Sequence, residues 1–160
     1  MAEKTTKQNL IRWLQSTPRR TFVLYPICVA ALEFAWHGKN QVIVPWGIPL
    51  LAWGYLQYRL SGQYRTEHGG GGPGLENPPT RIVDTGIYAF TRNPMYLGHL
   101  IFLTGLAITF RSLVALALLL VNIVWFHKRV LGDEAHMAAR FGAAYADYKN
   151  RVKRWIPGIL

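Results

Sequence analysis

The sequence predicts an all-α polytopic membrane protein, with four transmembrane helices in two hairpins and an amphipathic cytoplasmic helix at the C-terminus. Three observations carry this prediction. Four apolar stretches occur within only 160 residues, basic residues gather in alternate connections, and the C-terminal segment has an apolar stripe at helical spacing. Each stretch approaches the roughly 20 apolar residues that cross a bilayer. We therefore expect residues 1–160 to form a single membrane domain.

The apolar stretches define the two hairpins. Charge-free runs cover residues 40–58, 93–110 and 112–127, and a fourth run, 22–36, is interrupted only by Glu33. The predicted spans are residues 21–37 and 42–58 in the first hairpin (21–58), and 94–110 and 112–127 in the second (94–127). Prolines 26, 45 and 49 fall inside the first hairpin, where neighbouring helices can satisfy the freed backbone groups. Arg111-Ser112 supplies the turn of the second hairpin.

The charge distribution predicts the orientation. If the N-terminus is cytoplasmic, 16 of the 18 Lys and Arg residues lie on the cytoplasmic side, and only Lys39 and Arg111 lie opposite. This is the asymmetry of the positive-inside rule. We expect both termini to be cytoplasmic, in the inner membrane if the source is bacterial. The net charge of +10 is thereby explained by topology, so membrane lipids are expected partners and nucleic acid is not.

The cytoplasmic segments differ in character. Residues 1–20 are basic with scattered Ile11, Trp13 and Leu14, which is typical of a helix lying on the membrane surface. The loop at 59–93 contains "EHGGGGPGLENPP", either a slack linker or a loop that moves as a ligand enters. It then turns at Thr85-Gly86. Cys28 is the single cysteine, so neither a disulfide nor a cysteine-based metal site is expected, and we expect no metal.

The C-terminal block, residues 128–160, predicts one amphipathic helix from Asp133, its capping residue, to Val152. Its apolar stripe has spacings of three and four residues. The stripe comprises Met137, Phe141, Tyr145, Tyr148 and Val152.

The stretch "TRNPMYLGH" at residues 91–99 places polar groups at the head of an apolar helix. A proline costs little in a first helical turn. One interpretation is structural: Arg92 anchors to lipid headgroups and Asn93 caps the helix. The other is functional, because residues three, four and seven positions after Arg92, including Tyr96 and His99, share a helical face. Glu134, Tyr148 and Arg151 are expected at the same end of the molecule.

Two sequence blocks carry a family resemblance. "GIYAFTRNPMYLG" resembles the signature G-x-Y-x-x-x-R-H-P-x-Y-x-G of the isoprenylcysteine carboxyl methyltransferase and phospholipid methyltransferase group of integral membrane enzymes. "DEAHMAARFGAAYADYKNRVKRWIPG" is similar to the group's second block, E-E-x-x-L-x-x-x-F-G-x-x-Y-x-x-Y-x-x-x-V-x-x-x-I-P. The resemblance covers about residues 80–160.

The resemblance implies S-adenosylmethionine as the cofactor, and methyl transfer to a lipophilic or small acceptor. Such acceptors are an isoprenylcysteine-like carboxylate, a phospholipid amine or a thiol. It implies catalytic roles for Arg92, Glu134 and Arg151, with Arg151 near the acceptor. The implied cofactor-binding residues are Tyr88, Arg92, Asn93, Pro94, Tyr96, Leu97, Gly98, Glu134 and Tyr148. His99 joins this set from helix geometry alone.

Two departures from the family pattern stand out. Asn93 occupies the position of the motif histidine and cannot act as a base near neutral pH, which favours an acceptor that is already anionic or easily deprotonated. Asp133 replaces the first glutamate of the acid pair and keeps its charge.

Two alternatives are carried forward. One is a membrane sterol-type reductase that binds NADPH, which the acid pair at 133–134 disfavours because a phosphate-rich nucleotide avoids carboxylates. The other is a non-catalytic membrane module. The sequence predicts no particular oligomeric state.

Overall fold

The computed structural model describes residues 16–72 and 79–156. Within these ranges the chain is helical and contains no strand, which confirms the all-α class. The surface helix predicted around Trp13 and the centre of the glycine-rich loop lie outside the described residues.

Five helices form the described part of the chain. Helix α1 is continuous over Thr17–Asn40, with a π-helical segment at Arg20–Leu24 and a 3₁₀ turn at Gly38–Asn40. The others are α2 (Ile48–Gly69), α3 (Pro94–Phe110), α4 (Leu113–Phe141) and α5 (Ala143–Arg151), with short 3₁₀ turns at Pro45–Gly47 and Gly86–Ala89.

The predicted bounds of the second span, residues 42–58, are wrong. Helix α2 begins at Ile48 and continues to Gly69. Residues 41–44 instead cross the end of α3, where the Val44 amide donates to the Thr109 carbonyl at 2.8 Å. Pro49 stands in the first turn of α2, where its missing N–H removes no helical hydrogen bond.

The separate tail helix predicted from Asp133 to Val152 is also wrong in its bounds. Helix α4 runs without a break through Asp133, which therefore caps nothing. The break comes at Gly142, whose φ of +53° suits glycine and few other residues. Helix α5 follows and returns over the end of the bundle.

The turn between α3 and α4 is confirmed. Arg111 adopts a left-handed conformation with φ of +50°, and the Ser112 hydroxyl accepts a hydrogen bond from the Ala115 amide at 3.1 Å. This side-chain cap starts α4 directly after α3. The two helices therefore run antiparallel.

Helix α3 lies at the centre of the bundle. Helix α2 packs antiparallel along it through glycines at seven-residue spacing: Gly47 opposes Gly105, and Gly54 opposes Gly98. A Cβ atom on Gly98 would lie 2.8 Å from the Gly54 carbonyl oxygen. The two backbones therefore approach as closely as small residues allow, a packing common between helices in membranes.

Two helices in the described ranges are long and apolar enough to cross a membrane, Thr17–Asn40 and Leu113–Phe141. Helix α3 is apolar but has only 17 residues, about 26 Å at the helical rise. Helix α2 is long enough, with 22 residues, but its second half is polar. The described structure thus supports a membrane protein with two candidate spans.

Candidate active site

A cavity of about 290 Å³ lies at the end of the bundle where α3 begins and α4 ends. Helix α5 and the segment before α3 complete its wall. Charged, aromatic and aliphatic side chains from segments far apart in the sequence line it together. This end of the molecule is therefore the place to examine the predicted site residues.

Glu134 is a buried carboxylate in the cavity wall, with 5 % of its surface exposed. Arg92 donates to Glu134 Oε1 from Nη2 at 2.9 Å and from Nε at 3.2 Å. Arg154 donates from Nη2 to Oε2 at 2.9 Å and from Nε to Oε1 at 3.0 Å. These hydrogen bonds raise the pKa of the Arg154 guanidinium. Two cations thus hold one ionised carboxylate, and the cluster keeps a net positive charge.

Arg92 also joins the segment before α3 to the C-terminal segment. Its Nη1 donates to the backbone carbonyls of Lys149, at 3.1 Å, and of Val152. Its backbone amide donates to the carbonyl of Lys153 at 3.0 Å. With a side chain only 7 % exposed, Arg92 is a structural centre of the site and not an anchor to lipid headgroups.

The side chain of Asn93 does not cap α3. Its Nδ2 donates to the Arg154 carbonyl at 3.3 Å, and the neighbouring Thr91 hydroxyl donates to the same oxygen at 3.0 Å. Asn93 thus fixes the backbone that carries Arg154. A neutral amide suits this position, because the contact requires a donor and no titration.

Tyr96 lies on the first turn of α3 and connects two charged groups of α4. Its hydroxyl donates to Asp133 Oδ2 at 2.6 Å and accepts from Arg129 Nε at 3.1 Å. Asp133 is exposed and lines the cavity. Its carboxylate is therefore the acidic group most accessible to a ligand, since both Glu134 oxygens are engaged.

Three buried tyrosines, Tyr88, Tyr145 and Tyr148, close the side of the cavity. The Tyr148 hydroxyl donates to the Tyr88 carbonyl at 2.8 Å. Burial raises the pKa of the Tyr88 and Tyr148 phenols, and it raises the pKa of Tyr145 to about 12. All three phenols are therefore protonated at neutral pH.

Most of the predicted site residues come together here. Seven of them line the cavity: Tyr88, Arg92, Asn93, Pro94, Tyr96, Glu134 and Tyr148. Four others do not line it: Leu97, Gly98, His99 and Arg151. Within the described residues, no cluster of three or more His, Cys, Asp or Glu side chains forms a candidate metal site.

His99 lies in the aromatic core and not at the cavity. Its ring is fully buried and stacks on Phe22 with ring centroids 4.6 Å apart, and it also contacts Tyr58 and Phe126. The prediction depends on helical positions counted from Arg92. His99 does share a helical face with Tyr96, since both rings contact Phe126, but it lies one turn further from the cavity.

Arg151 and Gly98 have other roles. Arg151 Nη2 pairs with Asp84 Oδ2 at 2.8 Å, and both side chains are well exposed. Gly98 forms the contact between α2 and α3. Leu97, its neighbour, also lies outside the cavity wall.

Sequence reasoning misses Arg154 and Arg129. By its sequence neighbours, Arg154 is one of several basic residues suited to lipid contact, although it binds Glu134 directly. The second sequence block contains both Arg151 and Arg154, and no local pattern chooses between them. The choice depends on the path of the chain after α5.

Comparisons with known proteins give the family of the chain. Residues 46–144 match the sequence model of the phospholipid methyltransferase family. The chain is 34 % identical over 80 residues to the protein-S-isoprenylcysteine O-methyltransferase of Schizosaccharomyces pombe. It is 31 % identical over 80 residues to that of Saccharomyces cerevisiae, and 28 % over 83 residues to that of Dictyostelium discoideum.

Each of these matches covers 49 % of this chain and 33 or 34 % of the relative. The chain thus aligns with about a third of the length of these curated relatives. No solved structure matches it significantly. The family match includes Arg92, two residues before α3, and Glu134, near the end of α4. It covers more than half of the chain. The chain belongs to the phospholipid methyltransferase family.

Proposed function

We propose that the protein is an integral membrane methyltransferase that moves a methyl group from S-adenosylmethionine to a lipophilic or small acceptor. One observation carries the proposal: the two sequence blocks that resemble the family meet at a single cavity through the ion pair of Arg92 and Glu134. Residues separated by 42 positions in the chain are joined there. Family membership supplies the reaction class.

The cavity offers groups that match the chemistry of S-adenosylmethionine. This cofactor carries a cationic sulfonium and ammonium, a carboxylate, ribose hydroxyls and adenine. The accessible carboxylate of Asp133 suits a cationic or hydroxyl group, and the guanidinium of Arg129 suits a carboxylate. Tyrosine faces attract cations as well. A volume of about 290 Å³ is close to the lower end of ligand pockets.

The network of Arg92, Glu134 and Arg154 has a positioning role in this proposal. It fixes the start of α3 against the C-terminal segment, so that Tyr96 and Asp133 hold one geometry. S-adenosylmethionine supplies an electrophilic methyl group on its sulfonium. Rigid alignment of two reactants can contribute about 7–11 kcal/mol to lowering a barrier. Such alignment is the main contribution expected from these side chains.

The described wall contains few groups that can accept a proton at neutral pH. Asn93 does not titrate, and the buried phenols of Tyr88 and Tyr148 are protonated because burial raises their pKa. The exposed carboxylate of Asp133 and the imidazole of His136, which also lines the cavity, remain. Because Asn93 stands in place of the motif histidine, the proposal favours an acceptor that arrives anionic or loses its proton easily. A carboxylate or a thiol meets that condition more readily than a protonated amine.

Membrane embedding favours a lipophilic acceptor. Large apolar side chains on α1 and α4 are exposed on the outside of the bundle, including Ile27 at 62 % and Val121 at 65 %. Lipid acyl chains can cover these apolar side chains without exposing them to water. An acceptor dissolved in the bilayer would therefore reach the site from its side, while the soluble cofactor would enter from the polar end.

The charge of the cavity does not by itself reject NADPH. Glu134 is neutralised by two arginines, and Arg129 adds a further positive charge. The sequence argument against NADPH assumes that both Asp133 and Glu134 are free carboxylates. In the structure only Asp133 is. Family membership is what favours methyl transfer over a reductase or a non-catalytic module.

Calorimetric titration of the detergent-purified protein tests the proposal, with S-adenosylmethionine and NADPH as parallel arms. We expect S-adenosylmethionine alone to bind. Asp133→Asn should weaken this binding about tenfold, because a charge-assisted hydrogen bond contributes about 1.5–3 kcal/mol. Asp147→Asn is the matched control, since Asp147 is an exposed carboxylate on α5 outside the cavity wall.

Three results would contradict the proposal. Binding of NADPH alone would make the protein a reductase. Binding of neither cofactor to a folded sample would favour a non-catalytic module. Equal weakening by both aspartate variants would remove Asp133 from the site. If S-adenosylmethionine binds, transfer of its labelled methyl group to a lipid extract then identifies the acceptor class.

A further inference from the structure

A second cluster of charged and aromatic groups lies on the outer surface near the cavity. The guanidinium carbon of Arg20, on α1, is 5.4 Å from the ring centroid of Trp125, on α4. The guanidinium carbon of Arg129, one turn further along α4, is 5.6 Å from the same centroid. Two cations from different helices therefore share one indole ring, which attracts each of them.

These two cations have little compensation in the described part of the molecule. Neither Arg20 nor Arg129 forms an ion pair with a carboxylate among residues 16–72 and 79–156. The Nε atom of Arg20 is buried and has no hydrogen-bond partner there. Arg129 donates its Nε to the Tyr96 hydroxyl, which donates in turn to the Asp133 carboxylate, so Arg129 is compensated through Tyr96 and Arg20 is the less compensated of the two. A bound anion that reaches both guanidinium groups would supply the counter-charge that Arg20 lacks.

The backbone at Arg20 is also irregular. Arg20 begins the π-helical segment Arg20–Leu24 within α1. Such segments are rare and occur frequently at functional sites. The segment shifts the helical register by a fraction of a turn, so its presence contributes to where the Arg20 side chain lies relative to Trp125.

Apolar surface extends from the cluster along both helices. On α1, Val23 and Ile27 follow Arg20 at helical spacing and are 41 % and 62 % exposed. On α4, Val121 precedes Trp125 by one turn and is 65 % exposed. A ligand with a charged headgroup and a hydrocarbon chain matches this arrangement of a charged patch beside an apolar surface. A small soluble anion would leave the apolar part uncovered.

We propose that Arg20, Trp125 and Arg129 bind the anionic headgroup of a membrane phospholipid. Its phosphate would accept hydrogen bonds from the guanidinium groups, and its acyl chains would lie along Val23, Ile27 and Val121. Planar guanidinium groups suit phosphate oxygens, and basic pockets between helices bind anionic lipids. Arg20 lies outside the cavity wall, whereas Arg129 lines the cavity and also belongs to this second site. The proposal requires no methyl transfer.

Titration with soluble short-chain lipids tests this site without an activity assay. Dihexanoyl phosphatidylglycerol is added to the protein in maltoside micelles, and binding is followed by calorimetry. Dihexanoyl phosphatidylcholine and inorganic phosphate are the parallel arms. We expect only the phosphatidylglycerol to bind well. Arg20→Gln and Arg129→Gln should each weaken its binding about fivefold, the contribution expected of one basic residue near a membrane.

Lys128→Gln is the matched control. Lys128 neighbours Arg129 on α4 and is exposed, so this variant removes the same charge without touching Trp125. Equal weakening by Lys128→Gln would overturn the proposal, as would equal binding of the two lipids. Saturation by inorganic phosphate alone would replace the lipid with a soluble anion. Arg20 lies outside the cavity wall, so Arg20→Gln decides the matter if Arg129→Gln fails to fold.

Discussion

At the scale of single residues, the protein is organised by a carboxylate shared between two arginines. The side chains of Glu134 and Arg92 are 6 % and 7 % exposed, and Arg154 is 27 % exposed. Breaking a buried pair leaves uncompensated charge in a poorly solvated place. The exposed pair of Arg151 and Asp84 lies in water and contributes far less.

Replacing Glu134 by glutamine tests this contrast. We expect Glu134→Gln to lower the free energy of unfolding by about 3 kcal/mol, because the buried Arg92 and the partly exposed Arg154 lose their counter-charge. Arg151→Gln removes an exposed pair and should cost less than about 1 kcal/mol. Circular dichroism during unfolding with increasing dodecyl sulfate in mixed micelles measures both. Equal stability of Glu134→Gln and the unmodified protein would show that the ion pair does not hold the site together.

At the scale of helices, α2 and α3 depend on a row of small residues. Gly54 and Gly98 place two backbones in direct contact, and a Cβ on Gly98 would also lie 2.8 Å from the Tyr58 amide. Because both obstacles are backbone atoms, the contact cannot relax by a side-chain movement. Gly132, in α4, is also in a helix, but a Cβ atom there would have no neighbour within 4 Å.

Alanine at these two glycines should therefore have opposite effects. Gly98→Ala should destabilise the protein by about 1–3 kcal/mol through overpacking. Gly132→Ala should stabilise it by up to about 1 kcal/mol, because alanine favours the helix and meets open space. Thermal unfolding in the same detergent compares them. A stabilising Gly98→Ala would refute the close contact and return Gly98 to consideration as a ligand-binding residue.

At the scale of the whole molecule, the two ends of the bundle differ in charge and aromatic content. The cavity end carries most of the basic residues. Among the residues that the structure describes, only Lys39 and Arg111 are basic at the opposite end. That end also exposes Trp36 and Trp46 by 87 % and 82 %. Exposed tryptophan is typical of a membrane interface. The orientation with both termini and the cavity on the cytoplasmic side stays a prediction from the charge asymmetry.

Cysteine labelling tests that orientation. Cys28, the single cysteine, is first replaced by serine, and Lys39→Cys or Lys149→Cys is then introduced. A membrane-impermeant maleimide should label Lys39→Cys in intact cells and Lys149→Cys only after permeabilisation. Charge asymmetry sets this expectation. The reverse pattern would invert the topology, and labelling of both residues in intact cells would exclude an odd number of crossings between them.

The sequence alone determined features that depend on local chemistry. Apolar runs and their flanking charges predicted the helical class and the turn at Arg111-Ser112, and two motif blocks predicted the family. They also located Arg92, Tyr96 and Glu134 at one end of the molecule. These features are readable because helix periodicity, turn preference and motif spacing are properties of neighbouring residues.

Only the tertiary structure decided which side chains meet. Helix α5 ends at Arg151 and the backbone becomes extended at Val152, so Arg154 leaves the helical face of Arg151 and reaches Glu134. His99 lies in the aromatic core because Phe22, Tyr58 and Phe126 cover it one turn beyond Tyr96. Both outcomes depend on where a helix begins or ends and on which neighbour covers it. Those are properties of the packed bundle, and helical spacing along one segment does not contain them.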